Sequence, residues 1–268
     1  MLHEWQTQRL AAASATNAQL EGDVVTPAAA TVTVRLSNTC QISNKVPAVS
    51  GTQQAVNPAG RDDEFAYQVT LNTLELRRDI ETTLMDNNAE VTGATTTARE
   101  TGGIESWINT NTSVGVGGTA GSLGNTARVN GTNRTWTETL LKAQLINVFN
   151  NGGDPNLLMM PADMKQATSA FTGNATRMIN ADDKKLQAAI DIYQGDFGDM
   201  EIIPNRFMET DSVLILQTDL WATAWLRRPR MVPMGRVGDT EWAMIVAEYC
   251  LESRNERGSG AVFDVQSS

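Results

Sequence analysis

One stretch of this chain, residues 61–85, limits the possible folds more than any other. It contains neither proline nor glycine, and Asp62, Asp63 and Glu64 occupy its N-terminal end, where a helix dipole favours acidic side chains. Apolar or small residues then recur every three or four positions and form a single stripe, which consists of Phe65, Val69, Thr73, Leu76, Ile80 and Leu84. At about 1.5 Å of rise per residue, a helix of about 25 residues is about 40 Å long. The stretch therefore predicts a helix that crosses a whole domain.

The segment in front of this helix, residues 11–59, cannot form a core of its own, because it is nearly free of aromatic residues. Val32, Val34 and Leu36 alternate with polar residues, which predicts a half-buried strand, and residues 46–49 predict the strand that returns. A hairpin with an apolar face is unstable when it is isolated. We therefore expect a neighbouring subunit to cover this hairpin.

Residues 86–134, which follow the helix, are dominated by Thr, Asn and Gly, and the glycines crowd together between positions 115 and 124. They do not have the spacing of a dinucleotide-binding fingerprint, and no Gly-Lys-Ser/Thr follows them. The pattern therefore predicts a flexible surface loop rather than a phosphate-binding loop.

From residue 135 onward the sequence predicts alternating helices and strands. Thr135–Glu138 has the pattern of a capping box and predicts a helix of about 14 residues, which ends at two consecutive glycines. A second helix is expected at 163–171, and a hairpin at 189–203 with a long turn at 194–199. Further strands are predicted at 157–160, 212–216, 241–251 and 261–265. The fold class is therefore α+β.

The composition of the chain argues against several classes of function. The only histidine, His3, lies at an end that we expect to be mobile, which removes most zinc sites and catalytic triads. Cys40 and Cys250 belong to no CxxC motif and are expected to be free buried thiols. Adjacent carboxylates such as Asp62 and Asp63 are typical of a helix start, so we predict no catalytic, cofactor-binding or metal-binding residues.

Targeting and charge lead to two more expectations. No apolar run approaches the roughly 20 residues of a membrane span, and the N-terminus lacks the regions of a secretory signal, so we expect a cytoplasmic protein without membrane contact. The net charge is −10, and the only dense basic cluster is Arg227, Arg228 and Arg230. A protein that clamps nucleic acid needs a larger cationic surface. An acidic surface serves solubility, and it also suits a wall over which DNA slides.

Eight short segments together resemble one family. In order, they are Leu2–Thr7, Ser50–Ala55, Pro58–Arg61, Leu76–Glu81, Asp196–Asp199, Pro204–Met208, Glu252–Glu256 and Gly258–Asp264. No single segment is specific, but their order and spacing are similar to those of the major head (capsid) proteins of tailed bacteriophages with a Hong Kong 97-type fold. The resemblance runs nearly from end to end.

The resemblance implies a domain organisation. It consists of an N-terminal arm at 1–18, expected to be truncated relative to the family; an extended loop at 19–57; a peripheral domain at 58–134 with the spine helix 61–85; an axial domain at 135–240; and C-terminal strands at 241–268 that return to the sheet core. The implied function is structural, in the icosahedral head shell of a virion assembled in the bacterial host cytoplasm. The implied partners are further copies of the chain in pentamers and hexamers, portal, scaffolding and decoration proteins, and double-stranded DNA contacted weakly and non-specifically.

Four residues are candidates for assembly contacts. In this fold a lysine of the extended loop can bond covalently to a neighbouring subunit, and Lys45 is the only lysine in that region. We predict no such bond, because we recognise no carboxylate or apolar pocket that would deprotonate Lys45. Arg77 and Arg78 point about 100° apart on the helix, so we expect one to pair with Glu81 and the other to reach another element or subunit.

Two alternatives to a phage capsid protein remain at this point. One is a subunit of a cellular nanocompartment with the same fold, and the other is a β-rich phage binding protein.

Overall fold

The computed structural model describes residues 1–24, 27, 29–56, 60–171, 191–236 and 238–267. The helices are α1 (Gly51–Ala55), α2 (Glu64–Met85), α3 (Ile104–Trp107), α4 (Glu138–Asn150) and α5 (Ala162–Ser169). The strands are β1 (Leu2–Thr7), β2 (Val34–Thr39), β3 (Gln41–Lys45), β4 (Ala48–Ser50), β5 (Thr112–Ser113), β6 (Arg134–Thr135), β7 (Leu157–Met160), β8 (Ile192–Gly195), β9 (Gly198–Pro204), β10 (Val213–Leu216), β11 (Trp221–Pro233), β12 (Thr240–Ser253), β13 (Gly260–Val262) and β14 (Val265–Gln266). The α+β class is confirmed, and none of these helices is long and apolar enough to cross a membrane.

The predicted long helix is present as α2, which begins three residues later than expected. It begins at Glu64 because the Asp63 side chain accepts a hydrogen bond from the Ala66 N–H and caps the helix. Leu76, Ile80 and Leu84 of the predicted stripe are buried against the long strand β12 and the short helix α3.

The predicted hairpin has a different pair of strands. β2 pairs antiparallel with β1, from Leu2↔Thr39 to Thr7↔Val34, rather than with residues 46–49. Of those residues, Ala48 and Val49 belong to β4, which pairs with β12 beside β3. The N-terminus is therefore not a mobile end, since it forms one strand of the hairpin. We call β1, β2 and the residues 8–33 between them the extended hairpin.

Two sheets carry the rest of the fold. β11, β12 and β3 form a long antiparallel sheet, while a mixed sheet has the order β5-β13-β10-β7-β9-β8. β10 and β13 lie between two apolar cores, because alternate side chains of each strand enter different cores. One core contains α2, α3 and β12, and the other contains α4, α5 and β7.

The glycine-rich stretch after α2 is not a flexible surface loop. Ile104, Trp107 and Ile108 are among the most buried residues of the first core. Gly121 and Gly124 allow the chain to pass close to α3, since a Cβ at Gly124 would lie 2.6 Å from Cε2 of Trp107. The glycines therefore permit close packing, a role that composition alone did not distinguish from flexibility.

Two details of the later elements also differ from the prediction. The N-cap of α4 is Thr137, whose side chain accepts from the Leu140 N–H, so Thr135 does not form the expected capping box. The hairpin of β8 and β9 has a two-residue turn instead of a long one, because Gln194↔Asp199 and Gly195↔Gly198 already pair. The second predicted helix is α5, which ends at Ser169, two residues earlier than expected. The start of the strand predicted at 189 lies outside the described residues.

Candidate assembly surfaces

The root of the extended hairpin is tied to the end of β12. The Trp5 Nε1–H donates to the Ser253 carbonyl oxygen at 2.8 Å, and the Trp5 ring lies 5.4 Å from the ring of buried Trp107. His3 Nε2 lies 2.8 Å from Oε2 of Glu252. Burial alone would raise the pKa of Glu252, but hydrogen bonds from His3 and Arg254 outweigh it and lower the pKa. This carboxylate therefore stays ionised and holds β1 in place.

Asn38 fixes the second strand of the hairpin, β2, close to the point where β1 is held. It is fully buried, and its Nδ2 donates to the carbonyl oxygens of Leu251, at 2.7 Å, and Gly102, at 3.3 Å. Its Oδ1 accepts from the Gly102 N–H at 2.9 Å. Because every polar atom of this buried amide is used, Asn38 anchors the end of β2 to β12 and to the residues before α3.

The far part of the extended hairpin carries apolar side chains into solvent. Leu10 is 99% exposed, Leu20 79% and Val32 85%. The two arms hold each other through polar contacts, such as the one from Gln8 Nε2 to the Thr31 carbonyl oxygen at 3.2 Å. A rigid root with an exposed apolar end is the arrangement expected of a segment that another surface covers.

Lys45, at the end of β3, contacts the acidic face of α2. Its Nζ lies 2.8 Å from Oδ2 of Asp79 and 3.9 Å from Oε2 of Glu75. The hydrogen bond with Asp79 raises the pKa of Lys45, so the amine stays protonated. Spacing in the sequence did not reveal these two carboxylates, and they favour the charged, non-nucleophilic form of Lys45 instead of deprotonating it.

The two arginines of α2 do not make the predicted pair. Glu81 Oε1 accepts from Asn205 Nδ2 at 2.9 Å, and no Arg77–Glu81 ion pair forms. Arg78 lies over the Phe207 ring, 5.6 Å from its centroid. Arg77 is exposed, and in the part of the chain that the structure describes it has no ion-pair partner. Asp79 and Glu75 are occupied by Lys45, which came from a strand that sequence spacing could not place beside the helix.

The basic cluster on β11 is partly neutralised. Arg227 Nε contacts Oε2 of Glu248 at 2.7 Å, and Arg99 Nη2 contacts Oε1 of the same side chain at 2.6 Å. Burial would raise the pKa of Glu248, but the two arginines lower it, so the carboxylate is ionised. Only Arg228 and Arg230 of the cluster are exposed without an ion-pair partner among the described residues.

A buried arginine with four carboxylates is the largest feature that the sequence did not predict. Arg128 contacts Glu105 through Nε at 2.6 Å, and its Nη2 lies 2.7 Å from Glu209 and from Asp211. Its Nη1 lies 3.4 Å from Asp264. We call these five residues the Arg128 cluster. They come from four separate segments, so no local spacing marks them.

Asp264 of the Arg128 cluster also holds the glycine-rich stretch. Its carboxylate accepts from the N–H groups of Gly115 and Gly131, each at 2.8 Å, and its backbone has a φ of 56°. A non-glycine residue in this left-handed region is strained, and the hydrogen bonds offset that strain. The cluster thus joins α3, the 115–131 stretch and the C-terminal strands.

One carboxyl of the Arg128 cluster should make stability depend on pH. Burial raises the pKa of Glu105 from 4.5 to about 7, although Arg128 and Ser212 lower it. The contribution of such a group to the free energy of unfolding is complete below pH 4.5 and is lost as the pH rises through 7. Glu105→Gln stays neutral, so we expect its stability relative to the unmodified protein to rise by roughly 3 kcal/mol between these pH values. Urea unfolding across this range measures the difference, and parallel pH profiles for the two proteins would contradict the prediction.

Side chains that could bind a metal ion do not converge in the described part of the chain. Within those residues, no group of three His, Cys, Asp or Glu side chains could hold a metal ion. Asp62 and Asp63 lie at the start of α2, where Asp63 is the N-cap. The features with a built geometry are the hairpin root, the acidic face of α2 and the Arg128 cluster.

Comparison with known families decides between the remaining interpretations. Residues 1–266 match the family model described as SU10 major capsid protein. The chain belongs to the SU10 major capsid protein family. As a phage major capsid protein it forms an icosahedral shell, and it is a structural protein rather than an enzyme. The resemblance to head proteins of tailed phages is thereby confirmed.

Individual relatives of this SU10-family capsid protein agree with the assignment. The major capsid protein of Escherichia phage Phieco32 is 26% identical over 98% of this chain and 85% of its own length. The capsid of cyanophage A-1(L) has a TM-score of 0.62 at 11% identity, over 98% of this chain and 88% of that one. The SrpI encapsulin of Synechococcus elongatus has a TM-score of 0.54 at 12% identity, over 85% of this chain and 76% of its own. These two structures show the Hong Kong 97-type fold alone, and the family match favours a phage capsid over a nanocompartment.

Proposed function

We propose that copies of this capsid protein assemble as pentamers and hexamers, with the extended hairpin of each copy lying over a neighbouring copy. The observation that carries the proposal is the contrast within the hairpin, whose root is buried while Leu10, Leu20 and Val32 are exposed. Covering one large aliphatic side chain contributes about 1.5–3 kcal/mol, so three of them would stabilise a contact that is repeated around the shell.

Packaged double-stranded DNA, in this proposal, touches the shell weakly and without sequence preference. The net charge of −10 supports this, since a strong phosphate clamp needs many unpaired cations. Further partners would be portal, scaffolding and decoration proteins, and assembly would take place in the cytoplasm of a bacterial host before the shell leaves it as part of the virion.

The domain organisation is part of the same proposal, with one adjustment. β11 and β12 form one ladder from Trp221↔Ser253 to Pro233↔Ala243, which crosses the boundary expected at residue 240. We therefore place β11 with α2, β3 and β12 in the peripheral domain, and end the axial domain before Trp221. The extended hairpin then occupies residues 2–39 rather than 19–57.

Direct observation of particles tests the proposed assembly. Purified protein should form closed shells tens of nanometres wide in negative-stain microscopy, and light scattering should show the same particles in solution. A stable monomer under all assembly conditions would contradict the proposal. A tubular or open assembly would contradict the pentamer and hexamer arrangement.

Covalent joining through Lys45 is not expected. Because Asp79 holds the amine in its protonated form, purified shells should run as monomers on a denaturing gel after boiling. Lys45→Arg keeps the charge but cannot form an amide, and it serves as the matched control. A ladder of covalent oligomers that disappears in Lys45→Arg would overturn the prediction.

Arg77 is the better candidate for a contact between subunits, because Arg78 is already occupied by Phe207. Arg77→Ala should reduce the yield of shells without changing the melting temperature of the monomer. If its contact with a neighbour is buried, the loss is about 2–5 kcal/mol at each interface. Arg78→Ala should instead lower monomer stability by about 0.5–1 kcal/mol through the lost cation–π contact.

Sedimentation of assembled shells and melting of the monomer together measure both arginine variants. Normal shell yield for Arg77→Ala, combined with reduced DNA retention in the particles, would show that Arg77 faces the genome and would contradict its role in assembly.

A further inference from the structure

Two free thiols meet where the extended hairpin joins the body. Cys40 and Cys250 are both buried, and their Sγ atoms lie 3.8 Å apart. Cys40 stands between β2 and β3, and Cys250 lies in β12. The ladder of β3 and β12 ends at Gln41↔Tyr249, and continuing its register by one residue places the two cysteines opposite each other.

This position suits a disulfide without movement of the strands. Opposite residues of an antiparallel pair have Cα atoms about 4.5–5.5 Å apart, and disulfides connect Cα atoms about 4.4–6.8 Å apart. Rotation of the two side chains is therefore enough to bring the sulfurs into bonding distance. The sequence indicated two unrelated buried thiols, because nothing in it places residue 40 opposite residue 250.

The pair lies among the hydrogen bonds that anchor the root of the extended hairpin. The Cys40 N–H donates to the Met1 carbonyl oxygen at 3.0 Å, directly before β1. Next to it, Asn38 bonds to the carbonyl oxygen of Leu251, beside Cys250 in β12. A bond between the two sulfurs would add a covalent connection to a root that otherwise depends on hydrogen bonds and packing.

We propose that Cys40 and Cys250 are a latent disulfide, which closes when the protein passes from a reducing to an oxidising solution and locks the root of the extended hairpin to β12. Thiols persist in a reducing cytoplasm, whereas a particle outside a cell meets oxidising conditions. The pair is intramolecular, so the lock does not depend on the proposed contact between subunits.

A low-molecular-weight disulfide such as oxidised glutathione is the oxidant. The Cys40 thiol first releases its proton to solvent. The resulting thiolate attacks one sulfur of the oxidant, so that a mixed disulfide forms and one glutathione thiolate leaves. Cys250 then loses its proton and attacks the Cys40 sulfur, which releases the second glutathione thiolate. The two departing thiolates take up the two protons. Both cysteines are oxidised to one disulfide, and one glutathione disulfide is reduced to two thiols.

Closure should be slow. Burial and the neighbouring Cys40 raise the pKa of the Cys250 thiol, so little thiolate is present at neutral pH. The oxidant also reaches the buried Cys40 only when the structure around it opens locally. The rate should therefore rise with pH and in low concentrations of urea that leave the protein folded.

Counting thiols tests the proposal. Purified protein is incubated with oxidised glutathione, unfolded in excess iodoacetamide and weighed by mass spectrometry. We expect the number of alkylated cysteines to fall from two per chain to none, and dithiothreitol to restore both. The oxidised protein should migrate as a monomer on a non-reducing gel and melt at a higher temperature than the reduced protein.

Single variants give the matched control. Cys40→Ala and Cys250→Ala each keep one thiol, so oxidised glutathione should leave their melting temperatures unchanged. Retention of both thiols in the unmodified protein after long incubation at raised pH would overturn the proposal, and so would disulfide-linked dimers. The thiol count needs no assembled shells, so it stays informative if the proposed assembly fails.

Discussion

Replacing residues 8–33 with Asn-Gly is expected to give a folded monomer that cannot form shells. Thr7 and Val34 are paired at the end of β1 and β2, so a two-residue turn joins them without disturbing the root of the hairpin. The removed segment carries the exposed side chains of Leu10, Leu20 and Val32, and no described residue of it belongs to either core. Assembly therefore loses its proposed contact while the fold keeps both of its cores.

The shortened protein should melt within a few degrees of the full chain, and sedimentation should show at least about a tenfold loss of shells, equivalent to about 1.4 kcal/mol. A full-length variant, with Leu10, Leu20 and Val32 all changed to Ser, separates side-chain burial from segment length and should lose shells as well. Changing the polar residues Asn17 and Gln19 to Ser in the same segment should leave assembly normal. Normal shells from the shortened protein would show that the extended hairpin does not join subunits.

Arg128→Met is expected to destabilise the monomer strongly. Both Arg128 and Glu105 have fully buried side chains, and methionine fills a similar volume without a charge. Removing one partner of a buried ion pair costs about 3–5 kcal/mol, because the remaining charges stay buried without compensation. For a chain of this size each kcal/mol lowers the melting temperature by about 2–4 °C.

The matched control for Arg128→Met is Arg206→Met, since Arg206 is exposed and has no ion-pair partner among the described residues. This change should alter the free energy of unfolding by less than about 0.5 kcal/mol. Equal melting temperatures for the two variants would mean that the Arg128 cluster does not stabilise the fold. Combining Arg128→Met with Glu105→Gln removes one stranded charge and should recover part of the loss.

Local patterns in the sequence were sufficient to predict the elements whose buried residues follow a regular pattern along the chain. The stripe from Phe65 to Leu84 determined α2, because a helix brings every third or fourth residue to one side. The apolar run at 241–251 determined the central strand β12, and the run at 157–160 determined β7, since strands buried on both faces are continuously apolar. The order and spacing of the eight short segments were sufficient to identify the family.

Only the tertiary structure decided which segments meet. The alternation around Val34 marks a strand, but it is equally compatible with a partner at residues 46–49 and with the true partner, Leu2–Thr7. The Arg128 cluster likewise could not be predicted from local sequence, because the carboxylates around its buried guanidinium come from distant segments of the chain. Composition made the glycines after α2 look like a flexible loop, yet they permit contact with Trp107. Periodicity reports which face of an element is buried, whereas strand partners and buried charges depend on contacts between residues that are far apart in the chain.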